Sequence, residues 1–332
     1  MQQRFLGRTG LQISELGLGT MSFGARTDEP TAQRMLDRFA AAGGTFIDTA
    51  DTYQFGESER ILGGWLAGQD RDRFVIATKA YGESEPGGPV HGAGRKHLLR
   101  AVEDSLRRLG TDYIDLYQIH VFDDATPFEE TLSTLNGLVT SGKVRFVGAS
   151  NYTGWQLQKS VDLAHTNGWE PFAGLQPLYN LLQRDAENEL LPICVNEGLG
   201  VLCWSPLAGG WLSGRYAPTM TAPPSDSRFA DQPEAWRAQA TEATWQVVAT
   251  VDKIAAEVGR TPSQVALRWL LQQPAVTAPI IGARSVEQLT DSLDTVDWSL
   301  TDEQLTALEA ASRRPLPYPY ELQRLPQFVR RS

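Results

Sequence analysis

Short apolar runs alternate with amphipathic stretches from one end of the chain to the other. The runs predict strands over residues 16–21, 45–48, 74–79, 113–120, 144–150, 174–176, 200–204 and 276–281. Most are apolar at consecutive rather than alternate positions, as strands buried on both faces are. The stretches between them predict helices over 31–42, 58–66, 95–109, 128–141, 154–167, 186–197 and 286–293. In 95–109 the apolar residues Leu98, Leu99, Val102, Leu106 and Leu109 keep close to the 3.6-residue period and stop at Gly110. Eight such alternations predict an α/β fold, a closed (β/α)8 TIM barrel. An open doubly wound sheet is the competing arrangement. Its dinucleotide fingerprint is incomplete, because Gly17-Leu18-Gly19-Thr20-Met21-Ser22 lacks the third glycine.

Two additions interrupt the repeat. Arg4-Phe5-Leu6 and Leu11-Gln12-Ile13, joined across Gly7 to Gly10, predict a β-hairpin that plugs the barrel floor. Between the seventh and eighth strands lies a long segment, 205–275. It opens with a Gly/Pro/Ser-rich loop, 207–231, and continues with predicted helices over 234–258 and 262–272. Loops this long in a compact domain are usually lids or binding loops. Residues 1–312 therefore read as a single barrel domain. Residues 313–332 read as a Pro-rich tail that wraps the surface or reaches a partner subunit in a homo-oligomer.

Composition narrows the classes of function. The 332 residues are 41% hydrophobic and 21% charged, with a net charge of −10. A chain this acidic lacks the basic footprint that nucleic acid requires. It still allows a small anion in a local basic pocket. Cys194 and Cys203 fit no metal pattern and are too few for a disulfide scaffold. Two reduced core thiols suit the cytosol, and no apolar run reaches the ~18 residues of a membrane span. Met1-Gln2-Gln3-Arg4 lacks the apolar region of a signal peptide. The expectation is thus a cytoplasmic protein without membrane, nucleic-acid or metal partners.

The candidate chemistry sits at strand ends. Asp48, Lys79 and His120 close the second, third and fourth runs, and Tyr53 follows Asp48 by five residues. In a barrel of this kind the active site is built at the C-terminal ends of the strands. A carboxylate, a phenol, an amine and an imidazole would share one pocket there. A phenol is a poor acid near neutrality, and an adjacent ammonium lowers its pKa. Lys79 can supply that charge, and Asp48 can hold Lys79 in place. A neutral His120 can orient a substrate oxygen, and Tyr53 can protonate it as general acid. Asp115 lies mid-strand and reads as structural.

These residues also carry a resemblance. Asp48-Thr49-Ala50-Asp51-Thr52-Tyr53, followed by Gly56-Glu57-Ser58-Glu59, resembles the signature of the aldo-keto reductases. Residues 113–120, 142–151 and 279–289 match the same family, so the likeness spans the chain to about residue 312. The Gly-Arg-Thr-Gly hairpin at 7–10 resembles the branch of potassium-channel β subunits and bacterial general aldehyde reductases. The resemblance implies NAD(P)H without metal, and Asp48, Tyr53, Lys79 and His120 as the catalytic tetrad. It implies cofactor-binding residues at Gly19, Thr20, Met21 and Asp48, carboxamide contacts from Ser150, Asn151 and Gln176, and Trp204 stacking on the nicotinamide. Ser205, Pro206, Leu207 and Arg215 would cross the pyrophosphate. Ile281, Gly282, Arg284, Ser285, Gln288 and Ser292 would hold the adenosine end. Arg284 suits a 2′-phosphate, which favours NADPH. Ser292 stands where the family commonly has asparagine, and NADH use stays open. Phe23, Tyr81, Phe122 and Trp211 join Tyr53 and His120 as expected substrate contacts.

The leading expectation is an NAD(P)H-dependent reductase of aldehydes or ketones. A specialised sugar or alcohol dehydrogenase on the same site is the alternative. A non-catalytic cofactor-sensing protein is a third.

Overall fold

The computed structural model describes residues 1–82, 92–323 and 325. Eight parallel strands close into a barrel. A two-stranded hairpin precedes it: β1 (Gln3–Phe5) pairs antiparallel with β2 (Gln12–Ser14). The barrel strands are β3 (Gly17–Gly19), β4 (Phe46–Asp48), β5 (Val75–Ala80), β6 (Ile114–Ile119), β7 (Val144–Ser150), β8 (Phe172–Gln176), β9 (Gly200–Cys203) and β10 (Ala278–Gly282). They follow one another in order around the ring, and β10 closes it against β3.

Consecutive apolar positions make sense in this geometry. One set of strand side chains, including Phe46, Val75, Ala77, Leu116, Ala173, Leu202 and Ala278, fills the barrel interior as its own small core. The opposite set packs under the helices in the main core. Leu6 and Ile13 of the hairpin belong to the interior core and seal its floor. The hairpin turn presses on the loop before β9. Gly7, at φ +58°, lies so close to the backbone of Gly198 and Gly200 that any Cβ there would overlap it. Arg4 fixes the other side by donating to the carbonyls of Val276 and Leu271, each at 3.2 Å.

Several helices begin and end where the periodicity predicts. Arg95–Leu109 ends on Gly110 and Gly154–Asn167 on Gly168, both left-handed caps. A capping box of Thr153 and Gln156 starts the second of these. The predicted 234–258 helix divides into Pro233–Gln239 and Glu242–Val258, because Thr241 caps a new start at the Thr244 N–H. The predicted 186–197 helix shrinks to Leu190–Glu197 behind a 3₁₀ turn at Asp185–Glu187. A helix that the sequence reading did not foresee, Asp302–Ser312, is capped by Thr301 with Gln304 and buries Leu308. In the tail, a short helix at Tyr320–Gln323 docks by a 2.6 Å hydrogen bond from the Tyr320 hydroxyl to Glu189 Oε1. Residues 324 and 326–332 of the tail lie outside the described residues. Among the described residues, no helix is long and apolar enough to cross a membrane, and no group of three ligating side chains is gathered for a metal.

Candidate active site

The parallel register places Asp48, Lys79 and the residue after Ile119 at one rim of the barrel. Lys79 is fully buried and Asp48 is 2% exposed. The Lys79 ammonium donates to Asp48 Oδ2 at 2.6 Å, to the Thr49 carbonyl at 2.8 Å and to the Tyr53 hydroxyl at 3.3 Å. Three donors thus meet three acceptors, which is what a buried ammonium requires. The second Asp48 oxygen, Oδ1, accepts from Gln176 Nε2 at 2.8 Å and from Gln118 Nε2 at 3.5 Å. Asp48 is therefore the hub to which side chains from β5, β6 and β8 attach.

Tyr53 begins a tight turn in which the next two residues, Gln54 and Phe55, take φ of 52° and 53°. Such angles are uncommon for side-chain-bearing residues and mark a locally strained backbone. The turn brings the Tyr53 ring edge-on to the His120 ring at 5.9 Å between centroids. The His120 carbonyl in turn accepts from Asn151 Nδ2 at 2.9 Å, and Asn151 Nδ2 also lies 3.0 Å from Ser150 Oγ. Ser150 Oγ donates to the Gln176 carbonyl at 2.8 Å. The four strand-end residues and Ser150, Asn151 and Gln176 form one connected polar surface. Asn151 sits at φ 55° and is exposed.

Burial dominates the electrostatics. It pulls the Lys79 ammonium down, but the facing Asp48 carboxylate and Tyr53 outweigh it, so Lys79 stays charged. Burial pushes the Tyr53 phenol up. Lys79 opposes this and Asp48 adds to it, so the net direction is upward. The sequence reading expected Lys79 to lower the phenol; its pull is there, and desolvation exceeds it. Burial, helped by Lys79, pulls His120 down to about 3, so the imidazole is neutral around pH 7.

The loop after β9 lies beside this surface. Ser205, at φ 54°, is fixed by Asn180, which donates to its carbonyl at 3.0 Å. Trp204 is half-buried, and its ring nitrogen has no hydrogen-bond partner among the described residues. Farther out, three arginines hold the 226–231 stretch. Arg215 pairs with the Asp226 carboxylate, and Arg284 donates to the Asp226 carbonyl. Arg26 donates to the Ser227 carbonyl at 2.8 Å and to Asp231 at 3.1 Å. Ser285 caps the helix Val286–Leu293 at the Gln288 N–H, and Gln288 Oε1 accepts from the Arg284 N–H at 3.1 Å. Asn180 and Arg26 escaped the sequence reading, since neither lies in a motif or a periodic pattern.

Several residues expected to contact cofactor or substrate are buried. Thr20 is buried, and its hydroxyl holds the Asp48 carbonyl at 3.1 Å and Ser58 at 2.7 Å, so it braces the site from behind. Ser292 is buried and its hydroxyl returns to the Gln288 carbonyl within its own helix. Ile281 is 1% exposed, a packing residue, and Pro206 is buried too, whereas Gly19, Met21, Leu207 and Gly282 keep some exposure. Phe23 is fully buried in the main core. Trp211 is also fully buried, stacked 5.5 Å from Trp236 and packed on Tyr216 and Trp245. Aromatic character alone does not separate a pocket wall from the packing that anchors a lid. Tyr81 and Phe122 are half-buried. Phe122 sits two residues past His120 among Phe128, Tyr152 and the exposed Trp155.

A barrel whose strand ends gather a buried Asp–Lys pair, a phenol and an imidazole has a counterpart among known proteins. Residues 15–313 match the model of the aldo/keto reductase family. The chain belongs to the aldo/keto reductase family. It is 42% identical over 318 residues to an uncharacterized oxidoreductase, YrpG, of Bacillus subtilis (strain 168), covering 93% of this chain and 95% of that one. It is 33% identical to the versiconal hemiacetal acetate reductase of Aspergillus parasiticus, across 93% of this chain and 96% of that one. It is 32% identical to the aryl-alcohol dehydrogenase [NADP(+)] of Phanerodontia chrysosporium, across 94% and 86%. This aldo/keto reductase is accordingly an oxidoreductase, and the family's chemistry is NAD(P)H-dependent carbonyl reduction. Its donor set is compatible with such a cofactor: amide and hydroxyl groups lie beside the Asp48–Lys79 pair, and Arg215 and Arg284 offer guanidinium groups that suit phosphate oxygens.

Proposed function

We propose that this protein reduces aromatic aldehydes or ketones to alcohols with NADPH, and runs the reverse oxidation on the same site. The observation that carries the reading is the Lys79 ammonium held between Asp48 and the Tyr53 hydroxyl. When bound, the cofactor supplies the hydride. Ser150, Asn151 and Gln176 would hold its carboxamide end, Trp204 would lie against its ring, and Arg215 and Arg284 would hold its phosphate oxygens. His120, neutral, donates to the carbonyl oxygen and orients it. Tyr53 delivers the proton to the oxygen as negative charge develops on it. Lys79 stabilises the phenolate left behind, and Asp48 keeps Lys79 aimed and charged. In the oxidative direction Tyr53 accepts the proton.

The aromatic preference draws support from the cluster of Phe122, two residues past His120, with Phe128, Tyr152 and Trp155. Aryl-alcohol and norsolorinic acid enzymes among the relatives point the same way. Purified protein should oxidise NADPH in the presence of 4-nitrobenzaldehyde. The Tyr53→Phe variant should lose about 100-fold or more of that rate while still binding NADPH by fluorescence titration. A full rate in the variant would sink the mechanism. A flat response to aromatic carbonyls alongside turnover of sugars would sink the substrate class.

A further inference from the structure

One side chain of the signature has no part in this mechanism and no ordinary place in a barrel. Asp51 is fully buried, and among the described residues neither of its carboxylate oxygens accepts a hydrogen bond of good geometry, although the Thr52 N–H lies near enough to favour the charged form weakly. Buried carboxylates are normally paired or hydrogen-bonded, because bare burial of the charge is costly. The cation nearest in role is already engaged. Arg108 donates from Nε to Glu59 Oε2 at 2.7 Å, and Thr78 Oγ1 donates to Glu59 Oε1 at 2.6 Å. Glu59 is itself fully buried, and Gly56 leaves room for the Arg108 side chain to reach it. On the β6 side the Tyr117 hydroxyl is buried and has no hydrogen-bond partner among the described residues. On the β5 side stands Lys79, whose carbonyl accepts the Asp51 N–H at 3.1 Å.

We propose that Asp51 is a positioning residue that works as a neutral carboxylic acid, and that its ionisation places a negative charge behind Lys79 that slows proton delivery from Tyr53. The inference rests on the reductase reading for its catalytic arm only. Charged groups face Asp51 from every packed element. They are Glu59 on the helix Glu57–Leu66, Arg108 on Arg95–Leu109 and Lys79 on β5, with the neutral phenol of Tyr117 on β6 and, acting on that phenol, Asp104 on Arg95–Leu109. Burial pushes the Asp51 carboxyl up to about 8; Glu59 adds to this and Arg108 opposes it. Once ionised, Asp51 would tighten the hold of Lys79 on its proton. It would also raise the phenol further, making Tyr53 a weaker acid. The carbonyl-reduction rate would then fall on the alkaline side through Asp51, ahead of the titration of Tyr53 or Lys79.

Two measurements test this. Infrared spectroscopy of the intact protein should show the band of a protonated, buried carboxyl at pH 6, bleaching between about pH 7 and 9 and absent in Asp51→Asn. The alkaline limb of the reduction rate should move up by about one pH unit or more in Asp51→Asn. In Glu59→Gln it should move down, since Arg108 is then left unopposed beside Asp51. An unchanged limb in Asp51→Asn, or a native protein with no such band at pH 6, overturns the proposal. If no carbonyl is turned over by any of these proteins, the reductase reading fails, and the infrared titration alone decides the state of Asp51.

Discussion

Gln176 at the end of β8 donates from Nε2 to Asp48 Oδ1 at the end of β4, 2.8 Å away across the barrel mouth. The bond joins the residues expected to hold the nicotinamide to the hub of the proton-delivering group. Removing it should therefore disturb both. Gln176→Leu deprives a buried carboxylate of its best donor, a loss of ~1–3 kcal/mol. We expect a weaker NADPH dissociation constant and a lower kcat together, by about tenfold each. Fluorescence titration and steady-state kinetics on one preparation check this. A change in only one of the two would separate the functions.

Lys79→Met should act on stability and catalysis at once. It leaves Asp48 buried without its ion-pair partner, which costs ~3–5 kcal/mol. The double variant with Asp48→Asn should recover most of that stability and none of the activity. Chemical denaturation and NADPH-coupled assays report the two effects separately.

His120 leads to a pH prediction that involves no substrate. Its folded value of about 3 lies below the ordinary 6.5. Between those values the unfolded chain takes up a proton that the folded chain refuses, so stability falls as pH drops below about 6.5. His120→Gln should flatten that slope. Thermal melts of both proteins at pH 7.5 and 4.5 measure it, and parallel curves would place His120 in a wetter setting.

Much of the barrel was legible because its local signals agree. Apolar runs mark strands buried on both faces, and glycine caps mark helix ends, so Arg95–Leu109 and Gly154–Asn167 emerge with the same limits from sequence and structure. The Asp48, Lys79 and His120 positions were legible because a polar residue closing an apolar run is conspicuous. The break at Thr241 was missed because the apolar pattern continues across it and only the cap interrupts the backbone. The burial of Phe23 and Trp211 was not legible, because loop position says nothing about which way a ring turns. The environment of Asp51 was invisible: it arises from Glu59, Arg108 and Tyr117, brought in by separate elements.

The arginine latch makes the cofactor preference measurable. Arg284→Ala removes one candidate phosphate ligand and one tether of the 226–231 stretch. Losing a charge-assisted contact to phosphate is worth ~1.5–3 kcal/mol, so KM for NADPH should rise about tenfold or more, with NADH little affected. Arg26→Ala removes tethers without removing a phosphate ligand. It should speed NADPH release in stopped-flow displacement and leave the NADPH-to-NADH preference intact.

The hairpin of β1 and β2 closes the barrel from below with Leu6 and Ile13. Apolar side chains fill the barrel interior above that floor. On the proposed mechanism, the proton that replenishes Tyr53 after a turnover would therefore arrive through the mouth that the substrate uses, once the product has cleared it. Reprotonation is thereby tied to the traffic of reactants.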